Sequence, residues 1–182
     1  MFTKEYWVSS FKKLSSTTYL ALIAIFIAMK TIVSNWYIPV SDNLLIAFTF
    51  LVVAIESCII GPGAGMVSDA ITDIVSFMIS PKGPFFFGYT ISSMLGSLIY
   101  GLFFYRTKIT IPKIIMAKGL VNYGVNVLLG SLWSMMMYSK GFIYYASKSL
   151  VKNTILLPIE VIALYFAFKY LIPILKKRNL ID

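Results

Sequence analysis

The sequence predicts an all-α membrane protein, a single bundle of six transmembrane helices with both termini on the cytoplasmic side. Of its 182 residues, 59% are hydrophobic and only 13% are charged, whereas soluble domains are about 45–50% apolar and about 25% charged. The mean hydropathy is +0.84. The apolar residues are gathered in stretches near the roughly 20 residues that a helix needs to cross a bilayer. This composition excludes a soluble globular enzyme and also a disordered chain, because disorder requires low hydrophobicity.

Six apolar stretches provide the predicted helices. They cover about residues 18–34, 44–60, 64–79, 86–105, 114–138 and 154–174. Proline and glycine mark four of the five connections, as expected between helices; they occur at 39, 61–63, 81–84 and 112. The fifth connection, about 139–153, is longer. We expect one domain over 1–182, with an interfacial segment over about 1–17 and the bundle over about 18–175.

The distribution of Lys and Arg predicts the orientation. The net charge is +9, and eleven of the sixteen basic residues fall in the N-terminal segment, the fourth connection and the C-terminal end. They are Lys4, Lys12, Lys13, Arg106, Lys108, Lys113, Lys118, Lys169, Lys176, Lys177 and Arg178. With six helices these regions share one side, which the positive-inside rule makes cytoplasmic. The charge is therefore interpreted as a topology signal, and no nucleic-acid partner is expected.

Several kinds of catalytic and metal site are excluded by the residues that are missing. The chain has no histidine, and Cys58 is its single cysteine, so neither a Ser-His-Asp triad nor a His- or Cys-ligated metal centre can form. Gly61, Gly63 and Gly65 are not followed by the Gly-Lys-Ser/Thr of a phosphate-binding loop. We expect no metal, no cofactor and no ATPase motif in this chain.

Five ionisable residues are expected at membrane depth, where charge is costly and usually faces a bundle interior or a watery cavity. They are Lys30, Glu56, Asp69, Asp73 and Glu160. Asp69 and Asp73 are four residues apart, hence on one helical face, so the third helix is expected inside the bundle. This face is either part of a ligand site or a polar network that holds helices together.

The predicted topology places polar and aromatic groups in the outer half of the bundle, which indicates a cavity open to the outside. Aromatic rings offer stacking surfaces for a flat ligand, Asp73 can accept hydrogen bonds from a ring edge, and lysines at the rim would attract negative charge. A planar heteroaromatic acid fits these requirements, although interfacial aromatic belts are an alternative interpretation. The candidate ligand-binding residues are Lys30, Trp36, Asp73, Phe86, Tyr89, Thr90, Asn126, Trp133, Lys148 and Lys152.

The first predicted helix carries small residues on one face. Ala24 and Ala28 form a small-xxx-small pair, and Ala21 lies on the same face. Small residues permit close approach of helices in lipid. This face serves either internal packing or the docking of another membrane subunit.

The third and fourth predicted helices carry the most specific motifs. These are Gly61-Pro62, Asp73, the 81–86 run Pro-Lys-Gly-Pro-Phe-Phe, the 88–92 run Gly-Tyr-Thr-Ile-Ser, Gly96 and the 99–103 run Ile-Tyr-Gly-Leu-Phe. Together they resemble the substrate-binding (S) components of energy-coupling factor (ECF) vitamin transporters, specifically the folate family. Asn126, Trp133 and the 157–160 run Leu-Pro-Ile-Glu are similar to its fifth and sixth helices.

The resemblance implies a non-enzymatic, multi-pass subunit of the bacterial cell membrane. Such a subunit captures folate outside the cell with high affinity and delivers it with a transmembrane coupling subunit and two cytoplasmic ATPases. By resemblance, Asp73 binds the pterin edge, Lys148 or Lys152 holds carboxylates, and the connections at about 34–43 and 80–84 act as lids. The face formed by Ala21, Ala24 and Ala28 is similar to the family's docking motif for the coupling subunit.

Three other functions stay open at this point. The ligand could be another vitamin or planar anion, such as pantothenate or riboflavin, with thiamine fitting the outer lysines less well. A small intramembrane enzyme could use only Asp69 and Asp73, or Glu56 and Glu160, as acid and base. A purely structural membrane subunit would explain the alanine face but not the outer cavity.

Overall fold

The computed structural model describes residues 4–41, 44–81, 83–178 and 180–181. Eight α-helices and one two-stranded hairpin make up the regular structure of these residues, together with a 3₁₀ turn and a π-helical segment. In chain order they are α1 (Lys4–Lys12), the 3₁₀ turn (Lys13–Ser15), α2 (Thr17–Val33), β1 (Tyr37–Ser41), β2 (Leu44–Ala47), α3 (Thr49–Ile60), α4 (Pro62–Ile79), α5 (Phe87–Phe104), α6 (Ile111–Gly119), the π-helical segment (Leu120–Leu129), α7 (Gly130–Met137) and α8 (Phe142–Lys177).

A short hairpin occupies the position where the second predicted helix was expected to begin. Strands β1 and β2 pair antiparallel, with Tyr37 opposite Ala47, and α3 begins at Thr49 rather than near residue 44. Pro39 cannot lie in a helix interior without loss of a hydrogen bond, and the β-branched Ile38 and Val40 beside it favour a strand. Of the connections expected to act as lids, residues 42, 43 and 82 lie outside the described residues.

The number of long apolar helices is lower than the six predicted spans. Among the described residues, three helices are long and apolar enough to cross a membrane: Phe87–Phe104, Ile111–Met137 and Phe142–Lys177. A fourth is added if Lys4–Ser15 and Thr17–Val33, which are bent by 84°, count as one span. Helix α3 has only 12 residues, since the hairpin takes the residues that would have lengthened it.

The last helix is longer than predicted. Helix α8 begins at Phe142 and contains Pro158 and Pro173 in its interior, so most of the expected 139–153 connection is helical. Each proline removes a backbone hydrogen bond and often kinks or ends a helix, but here the helix continues through both. Lys148 and Lys152 of this connection therefore stand on a helix rather than in a loop.

A glycine-proline junction sets the path from α3 to α4. Gly61 has φ 87° and ψ 175°, a region that only glycine occupies readily, and Pro62 starts α4 at a position where no amide hydrogen is needed. A Cβ on Gly61 would lie 2.7 Å from the hydroxyl oxygen of Ser10. Helix α5 also passes close by, because a Cβ on Gly101 would lie 2.6 Å from Pro62 Cα.

The N-terminal helix lies against this same end of the bundle. Tyr6 donates to the carbonyl oxygen of Gly101 at 2.9 Å, and Ser10 donates to that of Ile60 at 3.0 Å. Lys13 Nζ donates to the carbonyl oxygen of Ile59 at 2.5 Å. These bonds bring the basic N-terminal segment beside the 105–110 connection and the end of α8.

The surface of the bundle is rich in large apolar side chains. On α2, Ile25, Met29 and Ile32 are 56%, 45% and 58% exposed, and on α8 Ile162 is 56% exposed. Contiguous exposed apolar surface of this kind is rare in soluble monomers. It fits a protein whose helices face lipid.

Candidate ligand cavity

Two adjoining cavities open between α2, α4, α5 and the π-helical segment. Their volumes are about 310 and 570 Å³, within the range of roughly 300–1,000 Å³ that holds small ligands. Four lining residues belong to both cavities: Ser34, Asp73, Ser76 and Tyr89. The two spaces are therefore parts of one candidate site with Asp73 at their junction.

Asp73 is the carboxylate at this junction. It lies on α4, where the polar face of the helix turns toward α5, and it is half-buried. Its Oδ2 accepts a hydrogen bond at 2.7 Å from Oγ1 of Thr90, which is 1% exposed on α5. The bond orients the carboxylate, which retains further lone pairs to accept hydrogen bonds from a ligand.

An aromatic cluster forms the outer wall beside Asp73. The Phe86 ring lies 5.7 Å from the Trp133 ring and 6.2 Å from the Tyr89 ring, measured between centroids. Trp133 Nε1 donates to Ser92 Oγ at 2.9 Å, which holds the indole behind Phe86. Phe86 and Tyr89 line the smaller cavity, so the structure brings together three aromatic residues that the sequence analysis singled out.

Lys30 lies inside the bundle and not at the expected rim. It is fully buried, and its ammonium group is ion-paired with Glu56 of α3 and with Asp69 Oδ1 of α4, the latter at 2.6 Å. Ser68 accepts from Lys30 at 3.1 Å and donates to Glu56 at 2.5 Å. Two buried carboxylates need a counter-charge, which is why the lysine points inward. Lys30 and Asp69 still contribute to the wall of the larger cavity.

A second buried ion pair stands on the opposite wall of the larger cavity. Lys118 Nζ lies 3.2 Å from Glu160 Oε1, and Asn122 donates to the other carboxylate oxygen at 2.8 Å. The ammonium also sits 4.1 Å from the centroid of the Phe50 ring. From the sequence, Lys118 is grouped with the cytoplasmic cations, but in the structure this residue is only 2% exposed. Its position inside the fifth apolar stretch was the signal that could have revealed this.

The π-helical segment positions Asn126. Its side chain donates to Asn153 Oδ1 of α8 at 3.3 Å and lines the larger cavity. π-Helical turns are rare and frequently occur at functional sites. Asn126 thus lies in the wall of the larger cavity, at the boundary with α8.

Besides Thr90 and Trp133, which contact the lining residues Asp73 and Phe86, three predicted residues lie outside the two cavity linings. The Trp36 side chain is 70% exposed. Lys148 is exposed on α8, with its ammonium 4.7 Å from the centroid of the Tyr144 ring, and Lys152 is half-buried one turn further along. None of the three is among the described residues that line either cavity.

The alanine face of α2 is exposed. Ala21, Ala24 and Ala28 all face outward from the bundle. The structure therefore excludes the first interpretation of the sequence, in which this face packs inside the bundle. The large exposed side chains of Ile25 and Met29 flank it.

Comparisons with known proteins give a consistent result. The folate transporter FolT of Clostridium novyi (strain NT) is 31% identical over 158 residues, covering 87% of this chain and 90% of that protein. The folate transporter FolT of Leuconostoc mesenteroides is 32% identical over 171 residues, covering 90% of each. This chain belongs to the FolT family of folate transporters. A crystal structure of FolT bound with folic acid matches with a TM-score of 0.76 at 31% identity, covering 83% of this chain and 92% of that one. No protein-family model matches the chain.

The cavity of this FolT-family chain is chemically suited to binding. It combines an oriented carboxylate, ring surfaces and hydroxyl groups with a buried lysine between two carboxylates and with a second buried ion pair. Among the described residues, no group of three or more His, Cys, Asp or Glu side chains is placed to hold a metal ion. Both relatives are named as transporters, in line with capture rather than chemical conversion.

Proposed function

We propose that this chain is the folate-binding S component of an ECF-type importer. It is a single domain that crosses the bacterial cell membrane six times with both termini in the cytoplasm. It captures folate from the outside and delivers it with a transmembrane coupling subunit and two cytoplasmic ATPases. The observation that carries the proposal is the cavity in which Asp73 meets the Phe86–Tyr89–Trp133 cluster, within a chain of the FolT family.

The geometry suggests a division of the ligand between the two parts of the site. Asp73, held by Thr90, accepts hydrogen bonds from the amino and ring N–H groups of the pterin. Phe86 and Tyr89 pack against the rings, and Trp133 supports Phe86 from behind. Asn126 contributes an amide at the far wall.

The carboxylate tail of folate needs cations near the outer mouth. We assign this role to Lys148 and Lys152 in the N-terminal part of α8, and we assign Trp36 a further contact with the ligand. Lys30 acts from inside as part of the charged wall. Two cations at the mouth favour an anionic vitamin, and a point charge on a flexible stem tolerates several tail positions.

The alanine face of α2 is assigned to the coupling subunit. Ala21, Ala24 and Ala28 are exposed on one side of a helix at the edge of the bundle. In lipid, such a strip allows a second helix to approach closely and gain van der Waals contact. Docking there leaves the ligand cavity on the other side of α2 free.

The test is a direct binding panel on the purified chain. Quenching of its tryptophan fluorescence should show saturable binding of folate at one ligand per chain. Riboflavin, pantothenate and thiamine at the same concentrations should show no saturable quenching. Saturable binding of one of those vitamins, with none of folate, would reassign the ligand; turnover of folate without stoichiometric capture would point to an enzyme.

A further inference from the structure

A third cavity lies at the opposite end of the bundle from the proposed folate site. Its volume is about 600 Å³, and it opens between the 3₁₀ turn, the 105–109 connection and the last turns of α8. None of its described lining residues also lines either of the two ligand cavities. It therefore requires an explanation of its own.

The charge of this cavity has a single sign among the described lining residues. Four cations line it, and the described lining includes no Asp or Glu. They come from three separate parts of the chain: Lys13, Arg106 with Lys108, and Lys176. Cations from distant segments thus meet at one cavity, where an anionic group can contact more than one of them.

Two of these cations are held in defined positions. Lys13 Nζ lies 4.8 Å from the ring centroid of Tyr19 and 4.7 Å from that of Tyr105. Arg106 has φ 51°, an uncommon conformation for a residue other than glycine, and its guanidinium lies 5.5 Å from the Tyr105 ring. The charged rim is thus built around Tyr105.

The deeper walls of the cavity are apolar. They are formed by Ile59, Phe104, Ile109, Ile172, Leu180 and Ile181. A free phosphate or a soluble metabolite gains nothing from such walls. A molecule with a phosphate at one end and hydrocarbon chains at the other satisfies both the cationic rim and the apolar interior.

We propose that this cavity binds an anionic phospholipid, with its headgroup phosphate among Arg106, Lys108 and Lys176 and its acyl chains against the apolar walls. Basic pockets at the ends of transmembrane helices bind anionic headgroups in this way. The bound lipid would link the N-terminal segment to α8 at the membrane surface. This proposal does not depend on which vitamin occupies the other end.

The experiment uses the full chain, purified in detergent and examined by native mass spectrometry. The probes are dioleoyl-phosphatidylglycerol and dioleoyl-phosphatidylcholine, which carry the same acyl chains, and glycerol phosphate as a headgroup without chains. We expect phosphatidylglycerol to be retained at lower concentration than phosphatidylcholine. Lys108→Gln and Lys176→Gln should each weaken its retention about fivefold, and Lys→Arg at either position should preserve it.

The matched control is Lys140→Gln, which removes an exposed lysine from the other end of the molecule and should leave retention unchanged. Equal retention of the two lipids by the parent chain would overturn the proposal, whether or not any variant folds. Equal losses from Lys140→Gln and Lys108→Gln would also overturn it, since the effect would then be one of net charge. Full competition by glycerol phosphate would show a free-phosphate site instead.

Discussion

At the scale of single residues, the proposed recognition of the ligand depends on Asp73. Its carboxylate stands where the two cavities meet and is oriented by Thr90 at 2.7 Å. A half-buried carboxylate forms charge-assisted hydrogen bonds that are stronger than neutral ones. The proposed pterin contact therefore concentrates much of the specificity in this one side chain.

Asp73→Asn should weaken folate binding about ten- to a hundredfold, because a hydrogen bond to a charged group contributes about 1.5–3 kcal/mol. The dissociation constant obtained from fluorescence quenching measures this change in affinity. Glu5→Gln, the same chemical change on an exposed residue of α1, is the control and should bind like the parent. An unchanged affinity of the Asp73→Asn protein would remove Asp73 from the binding site.

Lys30 makes a different contribution, since it is ion-paired with both Glu56 and Asp69 inside the bundle. Lys30→Met should lower the free energy of unfolding by about 3–5 kcal/mol, because two buried carboxylates lose their counter-charge. Thermal unfolding in detergent measures the change, and Lys148→Met, at an exposed position, should melt like the parent. If the two variants melt alike, the buried network does not stabilise the fold.

At the scale of secondary-structure elements, helix α2 has a buried face and an exposed face, to which we assign different functions. Its inner face carries Lys30 and the buried Ile23 and Phe26, which join it to α3 and α4. Its outer face carries the exposed alanines. Changes on the outer face should therefore affect assembly and leave the cavity intact.

Ala24→Leu combined with Ala28→Leu should abolish folate uptake by cells that contain the complete transporter, while purified protein binds folate as before. The bulky side chains block close helix approach without touching the cavity. Ala163→Leu combined with Ala167→Leu, a partly exposed pair with the same spacing on α8, is the control. Loss of uptake and binding together would indicate misfolding rather than failed docking.

At the scale of the whole molecule, the two ends of the bundle differ in chemistry. One end holds the carboxylate and aromatic cavity. The other gathers Lys13, Arg106, Lys108 and Lys176 around one cavity. Because Lys and Arg are enriched on the cytoplasmic side of membrane proteins, this asymmetry supports our proposal that the folate site faces the outside.

Labelling of intact cells with a membrane-impermeant maleimide tests this orientation. In a Cys58→Ala background, Ser139→Cys should be labelled in intact cells and Thr110→Cys only after permeabilisation. Both positions are exposed, and they flank opposite ends of the helical stretch over residues 111–137. The reverse pattern would place the folate cavity on the cytoplasmic side and contradict capture from outside.

The sequence by itself determined that the chain is a helical membrane protein with a polar, aromatic site on its third and fourth predicted helices. These properties are local. Hydrophobicity follows from composition, and the placement of Asp69 and Asp73 on one face follows from helical spacing. Phe86 and Tyr89 are only three positions apart in the sequence, so their proximity in space was also predictable.

Only the tertiary structure decided which charges are paired and where the helices begin and end. Lys30 meets Glu56 and Asp69, and Lys118 meets Glu160, across distances in the chain that no local pattern encodes. The hairpin likewise replaces the start of a predicted helix, and α8 begins within a stretch that was predicted to be a connection. The physical reason is that a buried charge is stable only with a partner, and which segments supply that partner is settled by how the helices pack.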